Sequence, residues 1–229
     1  MLNIQKHKFI MVNILKDIYS DISLGPLLGF KGGTCAYLFY DLPRFSTDID
    51  LNLLDSGEKD FVFTKIGEIL KKYGEMKDMQ DKRSTLFFLL SYKDDAHNIK
   101  VEISKKEFPN HYKLKNYLGI PMLIMEREDM FSHKLVALLE RKFIANRDLF
   151  DIWFFMKNNF EFNKEIIELR TEMDHKKYFK KCISVIEKIN EKYILQGLGE
   201  LLSEQQKIWV KKNLKKELLF LFNFYLENY

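Results

Sequence analysis

Residues 30–54 read FKGGTCAYLFYDLPRFSTDIDLNLL. A glycine pair, Gly32-Gly33, is followed by Thr34, an apolar segment, and then Arg44, Ser46, Asp48 and Asp50. On a β-strand, side chains two residues apart point to the same face, so Asp48 and Asp50 project together while Ile49 and Leu51 face the other way. Two carboxylates side by side repel unless a cation lies between them. Hard divalent ions such as Mg²⁺ take carboxylate oxygens and keep room for substrate phosphates. The glycines let the backbone turn tightly after an apolar strand (Leu27, Leu28, Phe30). A helix from about Thr34 to Tyr40 would then aim its first N–H groups at any phosphate in the turn. One short segment thus offers an anion cradle at Gly32, Gly33 and Thr34 and a metal-binding pair at Asp48 and Asp50, a combination suited to transfer from a nucleoside triphosphate.

Around this segment, residues 5–22 place Phe9, Val12, Leu15, Ile18 and Ile22 at helical spacing, ended by Gly25-Pro26. Residues 61–72 predict a second helix, and residues 84–92 (STLFFLLSY) a strand apolar enough to be buried on both faces. Lys93-Asp94-Asp95-Ala96 reads as a hairpin turn. Asn98–Ser104 (NIKVEIS) alternates, with Ile99, Val101 and Ile103 on one face and Lys100, Glu102 and Ser104 on the other. Residues 105–125 read as an irregular connector with a short strand at 122–125. Everything beyond is helical in pattern, with a boundary near 120–125, giving an α/β part over 1–122 and a helical part over 123–229.

In the helical part, Glu126–Phe143 carries acids in its first turn and Arg141 and Lys142 in its last, complementing the helix dipole, with Met130, Leu135, Leu138 and Leu139 as its apolar face. Lys134 and Arg141 share another face. Asn146-Arg147-Asp148-Leu149-Phe150-Asp151-Ile152-Trp153 opens a further helix, in which Arg147 is placed to pair with Asp151 and Trp153–Phe155 belong to the core. The aromatic residues Phe220, Phe222, Phe224 and Tyr225 are expected to pack back onto the bundle.

With 229 residues and 46% apolar content, the chain can bury a core of ordinary size. The net charge of +4 is compatible with nucleotide or nucleic-acid partners without requiring them. Between Arg170 and Lys216 twelve Lys/Arg face six Asp/Glu, a basic stretch able to steer an RNA backbone. Cys35 and Cys182 are too far apart in sequence to suggest a metal or disulfide framework, which fits a reducing cytoplasm. No run reaches the ~18–20 apolar residues of a membrane span, and the N-terminus lacks the pattern of a signal peptide.

The order GG-T, spacer, R-F-S-T-D-I-D resembles the signature of polymerase-β-type nucleotidyltransferases. Within that superfamily it is most similar to the AbiEii/AbiGii toxins of type IV toxin–antitoxin and abortive-infection systems. Thr34 stands where the superfamily usually has serine, and the thirteen-residue spacer is longer than usual. K-L-x-A-L-x-x-R followed by R-D-x-x-D resembles the second block of the same family. The resemblance implies an α/β (α+β) nucleotidyltransferase domain with a small mixed sheet, followed by a helical domain. It implies Mg²⁺ or Mn²⁺ on Asp48 and Asp50. Glu102 would be the third carboxylate and general base on the strand beside them, where the family more often has Asp. Lys134 would contact the nucleotide phosphates, and Asp148 or Asp151 would complete the site. Arg44, Ser46, Arg141 and Arg147 would support nucleotide binding. The implied partners are a nucleoside triphosphate, an RNA acceptor (notably a tRNA 3′ end) and a cognate antitoxin. Two other readings stay open: a small-molecule nucleotidyltransferase using the same carboxylates, and a non-catalytic nucleotide-sensing module.

Overall fold

The computed structural model describes residues 3–92 and 97–229, so the hairpin turn expected at Lys93–Ala96 lies outside the described residues. The chain divides into two compact units. One comprises Met1–Asp41 with Phe45–Glu126, and the other Leu42–Arg44 with Arg127–Tyr229. The division falls at 126/127, just past Met125, where the last strand of the first unit ends.

The first unit holds a seven-stranded mixed sheet among the described residues. In chain order the strands are β1 (Leu28–Lys31), β2 (Asp48–Leu53), β3 (Glu75–Lys82), β4 (Thr85–Ser91), β5 (Asn98–Ser104), β6 (Tyr112–Tyr117) and β7 (Ile120–Met125), in spatial order β3-β4-β5-β2-β1-β7-β6. β2 runs antiparallel to β1 and parallel to β5. Three helices accompany the sheet: α1 (Ile4–Ser20), α2 (Gly32–Phe39) and α3 (Lys59–Lys71). Alternation builds the core. Ile49 and Leu51 of β2, Leu86, Phe88 and Leu90 of β4, and Ile99, Val101 and Ile103 of β5 are all fully buried, leaving their neighbours to the opposite face.

The structure shifts several sequence-based assignments. The buried stripe of α1 is Met11, Ile14, Leu15 and Ile18, while Phe9 is 70% exposed and Ile22, beyond the helix end, 92% exposed. β4 is buried on one face only; Phe87 and Leu89 are half-buried, and the Lys82 ammonium caps the Phe87 ring at 3.5 Å. β3 and β6 carry no apolar pattern that marks them as strands in the sequence. Both are edge strands, and their sequences EMKDMQDK and YKLKNY carry the charges that protect an open edge.

The second unit is helical among its described residues: α4 (Arg127–Glu140), α5 (Asn146–Lys157), α6 (Lys164–Thr171), α7 (His175–Glu187) and α8 (Glu204–Asn228). α4 stops at Glu140, so Arg141 and Lys142 lie just past it. The Tyr178 hydroxyl donates to the carbonyls of Leu135 and Val136 at 2.9 and 3.0 Å, tying α7 to α4. Phe131, Phe155, Phe179, Phe222 and Tyr225 are fully buried, whereas Phe220 and Phe224 point out at 68% and 43% exposure. The apolar run near the end of α8 covers more than the face it buries. No helix among the described residues is long and apolar enough to cross a membrane.

Phe88→Ala is expected to lower the stability of the first unit by about 3–5 kcal/mol, as a large buried ring leaves a cavity that the sheet cannot close. Urea unfolding followed by circular dichroism measures it.

Candidate active site

The polar face of the β2–β5 pair gathers one set of predicted residues within the first unit. Asp48 and Asp50 share that face, since Ile49 and Leu51 between and after them are buried. In the parallel register Asp48 lies opposite Lys100 and Asp50 opposite Glu102. The Lys100 ammonium reaches the Asp48 carboxylate at 3.3 Å and the Glu102 carboxylate at 3.0 Å. Burial works against that ammonium, but Asp48, Glu102 and Asp50 outweigh it and raise its pKa above the ordinary lysine value. The alternation of Asn98–Ser104 puts Lys100 on the same face as Glu102. Its place opposite Asp48 depends on register, which strand pattern alone does not fix.

The glycine bend abuts this face. α2 begins at Gly32, whose φ of +77° suits glycine. A Cβ there would collide with the Asp50 side chain, coming within 2.8 Å of its Cβ. The start of α2 can therefore lie against Asp50 only while residue 32 is glycine. Lys31, the N-cap residue, gives the helix no side-chain cap, and the first N–H groups of any α-helix lack intrahelical partners. Gly33 and Thr34 are buried. The Thr34 hydroxyl donates to the Asp48 carbonyl, so it bolts α2 to β2.

His7, to which sequence reading gave no role, supports the same strand. It is fully buried. Its Nε2 donates to the Thr47 carbonyl at 2.9 Å, and its Nδ1 lies 2.6 Å from the Tyr92 hydroxyl, which donates to it. Burial lowers its pKa, in keeping with this neutral tautomer. Ser46 is buried just before this point. A lone histidine in the first helix carries no sequence mark of a partner 40 residues on.

The donor set fits Mg²⁺ in the mode in which one or two carboxylates hold the ion and substrate phosphates complete its shell. Asp48 and Asp50 supply hard oxygens on one face. Among the described residues no three His, Cys, Asp or Glu side chains form a ligand group on their own. Glu102 is held instead by Lys100.

The other predicted residues gather within the second unit. Asp148 and Asp151, on α5, are both fully buried. The Arg44 guanidinium grips Asp151 through Nε at 2.5 Å and Nη2 at 2.6 Å, the bidentate geometry that arginine favours. Lys134 bridges the two aspartates, 2.8 Å from Asp148 and 2.9 Å from Asp151. Arg141 Nε lies 2.9 Å from the second Asp148 oxygen. Asp151 is thus taken by Arg44 and Lys134 rather than by Arg147, which instead contributes attraction at Asp148. Burial opposes ionisation of both groups, yet Asp148 sits below the ordinary carboxylate value because Lys134 and Arg141 face it. Lys134 sits above the ordinary lysine value because Asp148 and Asp151 face it.

A sequence profile describing the AbiEii nucleotidyl transferase toxin of type IV toxin–antitoxin systems matches residues 13–218. Among solved structures, JHP933 from Helicobacter pylori superposes with a TM-score of 0.68 at 20% identity, covering 100% of this chain and 94% of that one. A candidate nucleotidyltransferase from H. pylori does so with a TM-score of 0.68 at 21% identity, covering 100% of this chain and 96% of that one. Both likenesses show the fold. No curated protein matches the sequence.

The ion cluster gives two stability predictions. Asp151→Ala leaves Arg44 and Lys134 short of a buried counter-charge and is expected to cost about 3–5 kcal/mol, or about 6–20 °C in melting temperature. The pH dependence follows from the signs. The depressed Asp148 contributes fully above the unfolded carboxylate pKa of about 3.9 and loses its contribution as pH falls through its folded value. The raised Lys134 contributes fully below about 10.4 and loses its contribution as pH rises through its folded value. Asp148→Asn should flatten both limbs of a melting-temperature profile from about pH 3 to 11, with the acid limb changing more.

Proposed function

The chain belongs to the AbiEii nucleotidyl transferase toxin family of type IV toxin–antitoxin systems, and from that premise we propose that it transfers a nucleoside monophosphate from a nucleoside triphosphate to a hydroxyl of RNA, the tRNA 3′ end being the acceptor the family points to. The observation that carries this reading is the face shared by Asp48 and Asp50, set directly against the Gly32 bend.

In this reading Asp48 and Asp50 hold Mg²⁺ or Mn²⁺, with Glu102 as the nearby third carboxylate. Bound there, the ion supplies charge neutralisation for triphosphate oxygens and Lewis-acid activation. The backbone amides of Gly32 and Gly33 meet the triphosphate at the start of α2. Glu102, in register with Asp50, accepts the proton of the acceptor hydroxyl as that oxygen attacks the α-phosphorus and pyrophosphate departs. Most of the rate comes from positioning and from fixed charge rather than from a covalent intermediate. Lys134 and Arg141 serve as cationic phosphate contacts, as the family pattern implies. Arg44, buried on Asp151, acts by holding that cluster together. A toxin of this family also has a cognate antitoxin.

Incubation with Mg²⁺, each labelled nucleoside triphosphate and total RNA tests the reading. RNA is expected to be labelled, and Asp48→Ala or Asp50→Ala to reduce labelling at least a hundredfold with the fold intact by circular dichroism. Labelling of a small molecule alone would replace the RNA acceptor. Nucleotide binding with no transfer to any acceptor would leave a sensing module.

Lys100 gives a second check, independent of turnover. Its ammonium competes with a divalent ion for Asp48, and the part-exposed pair is worth about 1 kcal/mol. Lys100→Met is therefore expected to bind Mn²⁺ roughly fivefold more tightly by calorimetry and to melt lower than the parent when no metal is added. Unchanged Mn²⁺ affinity would show that Lys100 and the ion do not share Asp48.

A further inference from the structure

Two loops of the second unit carry exposed aromatic rings, each with a lysine beside it. Phe143, between α4 and α5, is 77% exposed, and Tyr193, closing a 3₁₀ turn at Glu191–Tyr193, is 56% exposed. Lys142 Nζ lies 5.6 Å from the Phe143 ring centroid and Lys192 Nζ 5.8 Å from that of Tyr193. Asn146 joins the loops, its side-chain amide donating to the carbonyls of Tyr193 at 2.8 Å and Gln196 at 3.0 Å. Between them lies an open depression of about 530 Å³ lined by Phe143, Asn146, Arg147, Gln196 and Gly197. A cavity of that size falls within the range of small-ligand sites. Gly197 (φ +67°) leaves its side open: a Cβ there would meet nothing within 4 Å.

A single exposed ring is common on a protein surface; two of them on loops tied together by Asn146 and set among cations are a more specific arrangement. Here both rings stand among cations. Arg141, Lys142, Arg147 and Lys192 border the two loops; the acids nearby are exposed Glu191 and Glu200, Glu140, which pairs with Arg170, and Asp148, which is buried in its ion pairs. An apolar protein partner would have to desolvate those lysines. A membrane surface would be met better by a broad basic face than by two rings around a depression. Base faces stack on aromatic rings irrespective of sequence, while flanking cations follow the phosphates. The side-chain amide of Gln196, which lines the depression, suits the edge of a base entering it.

We propose that the Phe143 and Tyr193 loops form a cradle for single-stranded RNA, with the two rings stacking bases and Lys142 and Lys192 contacting the backbone. The cradle deepens the RNA-acceptor reading and rests on it for the identity of the strand. Its residues are separate from the carboxylates at 48, 50 and 102, and it binds RNA without nucleotide or metal.

The test is fluorescence anisotropy of the full-length protein with a fluorescein-labelled, unstructured RNA of about 20 nucleotides, with no nucleotide or divalent ion present. Phe143→Ala and Tyr193→Ala are each expected to weaken binding roughly tenfold. Phe143→Trp and Tyr193→Phe should retain it. The double variant Lys142→Ala/Lys192→Ala should flatten the slope of log affinity against log salt by about 1.4, near 0.7 for each single-strand phosphate contact. Because both rings are exposed, the variants should melt with the parent, so lost binding is not lost folding. Alanine variants that bind like the parent, a parent that does not bind, or a duplex of equal length bound more tightly with the same losses would each overturn the cradle. Asp48→Ala should bind the RNA undiminished. If Asp48→Ala transferred nucleotide as well as the parent, the transferase site would fall while the cradle stood.

Discussion

Two negative charges on one face of one strand set the terms for the first unit. Asp48 and Asp50 stand two residues apart, half-buried, where water screens them only in part. Such a pair is held only if the surroundings supply positive charge and rigid backing. Lys100 arrives in register from β5, and the start of α2 arrives at Gly32. The backing is local and specific. The Thr34 hydroxyl fixes α2 to the Asp48 carbonyl, and neutral His7 fixes the preceding carbonyl at Thr47. A site placed on strands and a helix, and braced this way, holds its geometry better than one carried by loops.

The second unit solves the opposite problem, burying charge rather than displaying it. Asp148 and Asp151 are fully out of water, and burying a carboxylate costs several kcal/mol unless partners repay it. Arg44, Lys134 and Arg141 do so through short contacts. Buried ion clusters of this kind add little net stability compared with an apolar core. Their stronger effect here is on arrangement. Arg44 lies only four residues before Asp48 in sequence, yet residues 42–44 group with the helical unit because Asp151 holds the guanidinium.

What the sequence disclosed follows from what strands and helices write into it. Strands β1, β2, β4 and β5 carry apolar alternation or runs, and the alternation of NIKVEIS sets the face of Glu102, while its place beside Asp50 depends on the pairing of β2 with β5, which the pattern alone does not fix. The edge strands β3 and β6 were hidden because their charged residues carry no apolar signal. The D-x-D pair and the glycine bend were legible as a motif. The partners of Asp151 were not, since Arg44 lies 107 residues away and nothing local marks it. Phe9, Phe220 and Phe224 were assigned to the core on apolarity and lie exposed. Near the end of α8 apolar residues lie all round and give no phase from which to choose the buried stripe, whereas in α1 Phe9 keeps the spacing but lies off the stripe formed by Met11, Ile14, Leu15 and Ile18.

Lys134 shows how burial changes the meaning of a motif residue. Read alone, a lysine on a helix face is a solvated point charge free to meet a phosphate. Here its side chain is 14% exposed and its ammonium lies between two carboxylates. Withdrawing it toward a phosphate would strand a buried anion if either aspartate depended on it alone, and that loss would be prohibitive. Neither does: Asp151 keeps the bidentate Arg44, and Asp148 keeps Arg141. Were Lys134 to turn to an incoming phosphate, as proposed, Arg44 would still pair with Asp151 and Arg141 would still lie 2.9 Å from Asp148. A cluster built on Lys134 and a single aspartate would have fixed the lysine in place.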